Sequence, residues 1–117
     1  MDNENVTPLV QNSNELADMI LTWYEEQVQK KYYMHDIYNQ LVRSATSVGA
    51  NIAEAKFAQS DADYKSKMHI ALKEANETRY WIQRLTLHGS ISSDLNVQLL
   101  KRVESILNIL VSITNPK

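Results

Sequence analysis

Between Pro8 and Pro116 this chain carries two glycines, Gly49 and Gly89, and no proline. A turn-rich β fold cannot be written with so little punctuation, because hairpins and tight turns draw on Gly and Pro at defined positions. The same stretch repeats apolar residues three and four apart, the spacing that lines one face of a helix. The expected fold class is therefore all-α.

Four segments carry that spacing. The first runs from about residue 13 to 31, with Ser13 or Asn14 as cap and a stripe of Leu16, Ile20, Trp23 and Gln27 or Val28. After the phase is lost in "KYYMHD", Asp36 can cap a second helix over about 36–57, striped by Ile37, Leu41, Ala45, Val48, Ile52 and Ala55. Ser60 followed by Asp63 reads as a capping box opening a third helix over about 61–88. Its stripe is Tyr64, Met68, Ala71, Ala75, Thr78, Ile82 and Leu85, and Gly89 suits the left-handed residue that closes a helix. A fourth helix, about 93–114 with a cap at Ser92 or Ser93, carries Leu95, Leu99, Val103, Ile106 or Leu107, Leu110 and Ile113. Four such helices on short connections make an antiparallel up-and-down four-helix bundle the economical arrangement, one domain over residues 1–117.

Composition removes several functions. With no cysteine the chain has neither a disulfide framework nor a thiolate metal site. The opening "MDNENVTPLVQN" is acidic and polar, unlike a signal peptide, and no apolar run approaches the ~20 residues that cross a bilayer, so a cytoplasmic protein without membrane contact is expected. The formal net charge is -2, with residues 1–60 holding four basic and eight acidic groups and residues 61–117 eight basic and six acidic. An anionic partner should meet the second half.

The second helix is unusual. "SATSVGANIAEA", Ser44 to Ala55, is built from small residues around Gly49, and Arg43, Ser47, Asn51 and Glu54 form a polar line beside the apolar one. Gly costs a helix about 1 kcal/mol against Ala, and Ser, Thr and Val several tenths. Packing must make up the loss. Either helices approach closely here or the line belongs to a polar cleft.

No catalytic constellation accompanies that cleft. His35, His69 and His88 are dispersed, the residues three places after Glu54, Glu74, Glu77 and Glu104 are Phe57, Glu77, Tyr80 and Leu107 rather than His, and no Gly-rich phosphate loop exists. An enzyme site around Asn51, Glu54 and His69 is the weakest reading. No cofactor and no metal are expected. Tyr80 and Trp81, flanked by Arg79 and Arg84, suit either a packing contact or base stacking.

The chain resembles the four-helix bundle proteins encoded by intervening sequences in bacterial large-subunit ribosomal RNA genes. The resemblance lies in Arg43-Ser44, Ser47, Ala50-Asn51-Ile52-Ala53-Glu54-Ala55, Ser60, Tyr64, Ile70-Ala71, Glu74, Glu77-Thr78 and Tyr80-Trp81-Ile82. It implies a non-enzymatic bundle that assembles into a homopentameric ring, related to accessory proteins of diversity-generating retroelements that bind nucleic acid and a reverse transcriptase. The packing or interface signature would then comprise Arg43, Ser47, Gly49, Asn51, Glu54 and Trp81.

Independently of the resemblance, Met19, Tyr24, Tyr80, Trp81, Leu100 and Ile109 fall outside the four stripes and would form an exposed apolar patch on a lone bundle. The leading functional reading is an oligomeric interaction module, with a protein partner besides copies of itself. The competing reading is a nucleic-acid-binding accessory protein. Lys65, Lys67, Lys73, Arg79, Arg84, Lys101 and Arg102 are its candidate contacts, expected to give weak, salt-sensitive binding.

Overall fold

The computed structural model describes residues 6–115, and these are all-α with no strand among them. Helix α1 spans Val6–Lys30, α2 His35–Ala55, α3 Asp61–Leu87 and α4 Ser93–Thr114, with a short 3-10 turn at Tyr32–Met34 before α2. Each helix packs on two others, α1 and α3 both against α2 and α4. Pairs along each seam run in opposite directions: Ser13 with Gly49 and Trp23 with Tyr38 between α1 and α2, Ser44 with Thr78 and Glu54 with Lys67 between α2 and α3. The same holds for Arg79 with Glu104 and Thr86 with Asn96 on α3–α4, and for Asn12 with Ser105 and Glu15 with Arg102 on α1–α4. The result is an antiparallel four-helix bundle with extents of 45 × 23 × 19 Å.

One apolar core runs its length, with Leu16, Ile20, Leu41, Val48, Ile82, Leu99, Val103, Ile106 and Leu110 fully buried. Removing a Leu or Ile side chain from water contributes about 1.5–3 kcal/mol, so these rows hold the bundle together. The three interhelical ion pairs and the hydrogen-bonded side chains at its edges are partly solvated and contribute less than about 1 kcal/mol each.

The ends of α3 and α4 follow the expected chemistry. Ser60 Oγ accepts from the Asp63 amide, and Asp63 Oδ2 accepts from the Gln59 amide, one residue earlier than a regular capping box. Ser92 caps α4 by accepting from the Leu95 amide. Gly89, at φ 84°, closes α3: its own amide donates to Thr86 and the Ser90 amide to Leu85, the paired bonds of a Schellman ending.

Three sequence expectations are corrected. Helix α1 begins at Val6, not near residue 13, and the supposed cap Ser13 is buried inside it, its hydroxyl donating to the Val10 carbonyl. Pro8 fits there because the amides of a first helical turn have no partner to lose. Asp36 lies in the first turn of α2 while the cap position is Met34, which makes no side-chain cap bond. The α2 stripe enters the core through Tyr38, fully buried, while Ile37 is 40% exposed. Tyr38 wins because its ring meets Trp23 edge-on at 4.9 Å and its hydroxyl lies 2.9 Å from Ser90 Oγ, a polar partner Ile37 has no use for.

Candidate functional site

The small residues of α2 divide into two sets. Ser44, Ala45, Val48, Ile52 and Ala55 are buried, as are Ala71, Ala75 and Thr78 of α3, and α2 and α3 form the most extensive interhelical contact. Short side chains on both sides bring the axes together. In that seam the Thr78 hydroxyl donates, shared between Ser44 Oγ at 2.9 Å and the Glu74 carbonyl at 2.8 Å, and Ser44 donates to the Leu41 carbonyl. Every hydroxyl buried there has a partner, as burial requires.

The second set faces outward. Ala50 and Ala53 are exposed; Ala53 lines a groove together with Val10, Ser13 and Asn14 of α1, and Ala50 does not. Gly49 looks toward α1, yet a Cβ added there would sit 3.6 Å from Ser13 Oγ and 3.7 Å from Asn14 Oδ1, ordinary contact distances. Gly49 thus has room for a methyl group within the chain, and Ala53 is exposed.

The polar line lies on the shoulder of α2 that leads toward α3. Arg43 is exposed and donates to Gln40 Oε1 at 3.3 Å; Asn51 is half-buried and donates to the Ser47 carbonyl at 2.9 Å. Glu54 is exposed and pairs with Lys67 of α3 at 3.1 Å. On α3 the half-buried Trp81 donates from Nε1 to Glu77 Oε2 at 3.2 Å and meets the ring of Tyr80 edge-on at 5.2 Å. Tyr80 is 54% exposed and carries the Arg84 guanidinium 5.9 Å above its ring, within cation–π range. Ile37 and Ile70 are also partly open to solvent, on α2 and α3 respectively. Glu74 Oε1 is buried without a hydrogen-bond partner, at a cost of about 1–3 kcal/mol.

The polar line does not converge on a catalytic arrangement. His69 is exposed, and among the described residues no three His, Asp or Glu side chains are grouped to hold a metal. No described helix is long and apolar enough to cross a membrane.

The seven basic candidates do not share one surface. Lys67 turns to Glu54 on the α2 side of α3, whereas Arg79 turns to the α4 side, 3.2 Å from Glu104, and also donates to Asn76. Arg102 is on the α1 side of α4, 3.1 Å from Glu15. Lys65, Lys73 and Lys101 are exposed, and Arg84 lies over Tyr80. Three of the seven charges are thus matched by carboxylates of the same chain. The sequence could not show this, because Lys67 and Arg79 find their partners on different helices.

The expected patch of stray apolar residues is also redrawn. Met19, Tyr24, Trp81, Leu100 and Ile109 are half-buried against the core, leaving only Tyr80 of the six well exposed. Among the described residues, the large apolar side chains most open to solvent are instead Phe57, Tyr33, Leu87, Tyr32 and Val97.

With this geometry in place, the comparison with known proteins is decisive. The model of the 23S rRNA-intervening sequence protein family matches residues 7–112. The chain belongs to that family. A crystal structure of a protein of unknown function from the S23 ribosomal protein family, from Bacteroides thetaiotaomicron VPI-5482, is 36% identical and superposes with a TM-score of 0.84. That similarity covers 92% of this chain and 98% of the other. No curated protein matches. The family is thus established while the activity of the similar protein is itself unknown.

Proposed function

We propose that this family member is a non-enzymatic interaction module that assembles laterally with copies of itself, as a homopentameric ring in the cytoplasm. The observation that carries the reading is the outward face of α2, where Ala50 and, at its edge, Ala53 are small and exposed. A neighbouring helix could approach such a face closely, and the partly exposed Ile37 of α2 and Ile70 and Trp81 of α3 supply further apolar area on these two helices. Arg43, Ser47, Asn51 and Glu54 would then form the polar edge of that contact, where hydrogen bonds give register more than affinity. The absence of a convergent catalytic group supports the non-enzymatic half of the proposal.

The test replaces exposed residues that the isolated fold does not use. Ala50→Arg and Ala53→Arg should leave the far-ultraviolet circular dichroism of a helical chain unchanged and lower the mass in light scattering toward 13.5 kDa. Unchanged mass in both variants places assembly elsewhere or removes it.

A second reading, a nucleic-acid-binding accessory protein acting beside a reverse transcriptase or another nucleic-acid enzyme, is favoured by the exposed Tyr80 with Arg84 above it. Against tight binding stand the net charge of -2 and the pairing of Lys67, Arg79 and Arg102. Structured RNA and duplex DNA titrated at low and physiological salt should bind weakly and lose affinity with salt. Arg84→Glu should abolish what binding there is, and binding that withstands physiological salt would favour this reading over the first.

A further inference from the structure

The connection between α2 and α3 holds Phe57 with 85% of its surface exposed, more than any other large apolar side chain among the described residues. Beside it the end of the bundle opens into a groove of about 760 Å³. Its walls include Val10, Ile52, Tyr64, Met68 and Ile113, and Phe57 stands at its edge. Lys56 and Asp61 line the same groove. Both are exposed, and neither makes an ion pair among the described residues.

We infer that this end of the bundle is a self-complementary docking surface, on which Phe57 of each copy enters the groove of a second copy. Knob and hole occupy the same patch, and a patch that serves as both halves of a contact pairs through a two-fold axis. Charge complementarity selects a second copy as the occupant. With Lys56 and Asp61 flanking Phe57 in the chain, a two-fold axis near Phe57 brings Lys56 of one copy toward the partner subunit's Asp61, and the reverse, so both unpaired charges are matched at once. An unrelated apolar partner would match neither. This contact uses the bundle end; Ala53 borders both it and the lateral face of α2, whereas Ala50 lines only the lateral face, so the end contact joins two lateral assemblies end to end.

The chain has no cysteine, so a single one introduced at the exposed Gln59 reports on this axis cleanly. Gln59→Cys treated with a short bifunctional maleimide should give a two-chain product, and should do so equally in an Ala50→Arg background where lateral assembly is removed. Adding Phe57→Ala should lower the cross-linked yield about tenfold, as loss of a central apolar anchor does. Lys56→Glu should lower it as well, and Asp61→Lys combined with Lys56→Glu should restore it. Circular dichroism of each variant confirms that the helices persist. No cross-link in either background, or a yield indifferent to Phe57 and to the charge swap, overturns the inference. Because the Ala50→Arg background isolates the end contact, failure of the lateral reading leaves this result interpretable.

Discussion

The two ends of the bundle use aromatic side chains in opposite ways. At the end formed by the 3-10 turn and the α3–α4 connection, Trp23 and Tyr38 turn inward and close the core over Ser90. Trp23 Nε1 donates to the Ser90 carbonyl at 2.9 Å, Tyr38 shares a hydrogen bond with the Ser90 hydroxyl, and the Ser90 amide closes the ending of α3. One buried serine thus ties three helices together. At the other end the α2–α3 connection holds Phe57 in solvent beside an open groove. A residue that closes an end needs a polar partner brought in from another connection, whereas Phe57 has none to find and is left over for something outside the chain.

That contrast can be broken at its closed end first. Trp23→Ala removes the largest side chain there and one hydrogen bond, with an expected loss of about 3–5 kcal/mol in urea unfolding. A loss below about 1 kcal/mol would show that the end is not closed by this side chain. Tyr38→Phe keeps the ring contact and deletes only the bond to Ser90, so it should cost about 1 kcal/mol in the same measurement. At the open end the expected effects are smaller and differ in sign. Gly49→Ala, with ordinary contact distances awaiting its methyl group, should stabilise by about 0.5–1 kcal/mol through helix propensity alone. Phe57→Ala, measured in the Ala50→Arg background at concentrations where chains are separate, should change unfolding by less than about 0.5 kcal/mol. A large destabilisation there would mean that Phe57 belongs to the core after all.

The contrast also marks how far the sequence could be read. Helices α3 and α4 were legible because their signals are local: a serine cap three residues before the amide it serves, a glycine at the left-handed position, and an unbroken stripe. The start of α1 was not, since Ser13 offers the chemistry of a cap and only tertiary packing decides that it is buried in mid-helix. Tyr38 was misplaced in favour of Ile37 for a similar reason: its partner Ser90 is 52 residues away and leaves no trace in local spacing. The family signature around Ser44–Ala55 and Glu74–Ile82 was recognisable, and it maps onto the α2–α3 seam and its outer shoulder. Which of those small residues serve the seam and which face outward follows only from the register between two helices. The pairing of Lys67, Arg79 and Arg102 with carboxylates was hidden for the same reason.

The claim that most depends on this division is that the outward small-residue face of α2 exists to be covered by another copy. Light scattering coupled to gel filtration on the native chain, at micromolar concentration and physiological salt, tests it directly. The account predicts a mass of about five times 13.5 kDa, or twice that where bundle ends pair. A single species at 13.5 kDa would contradict it.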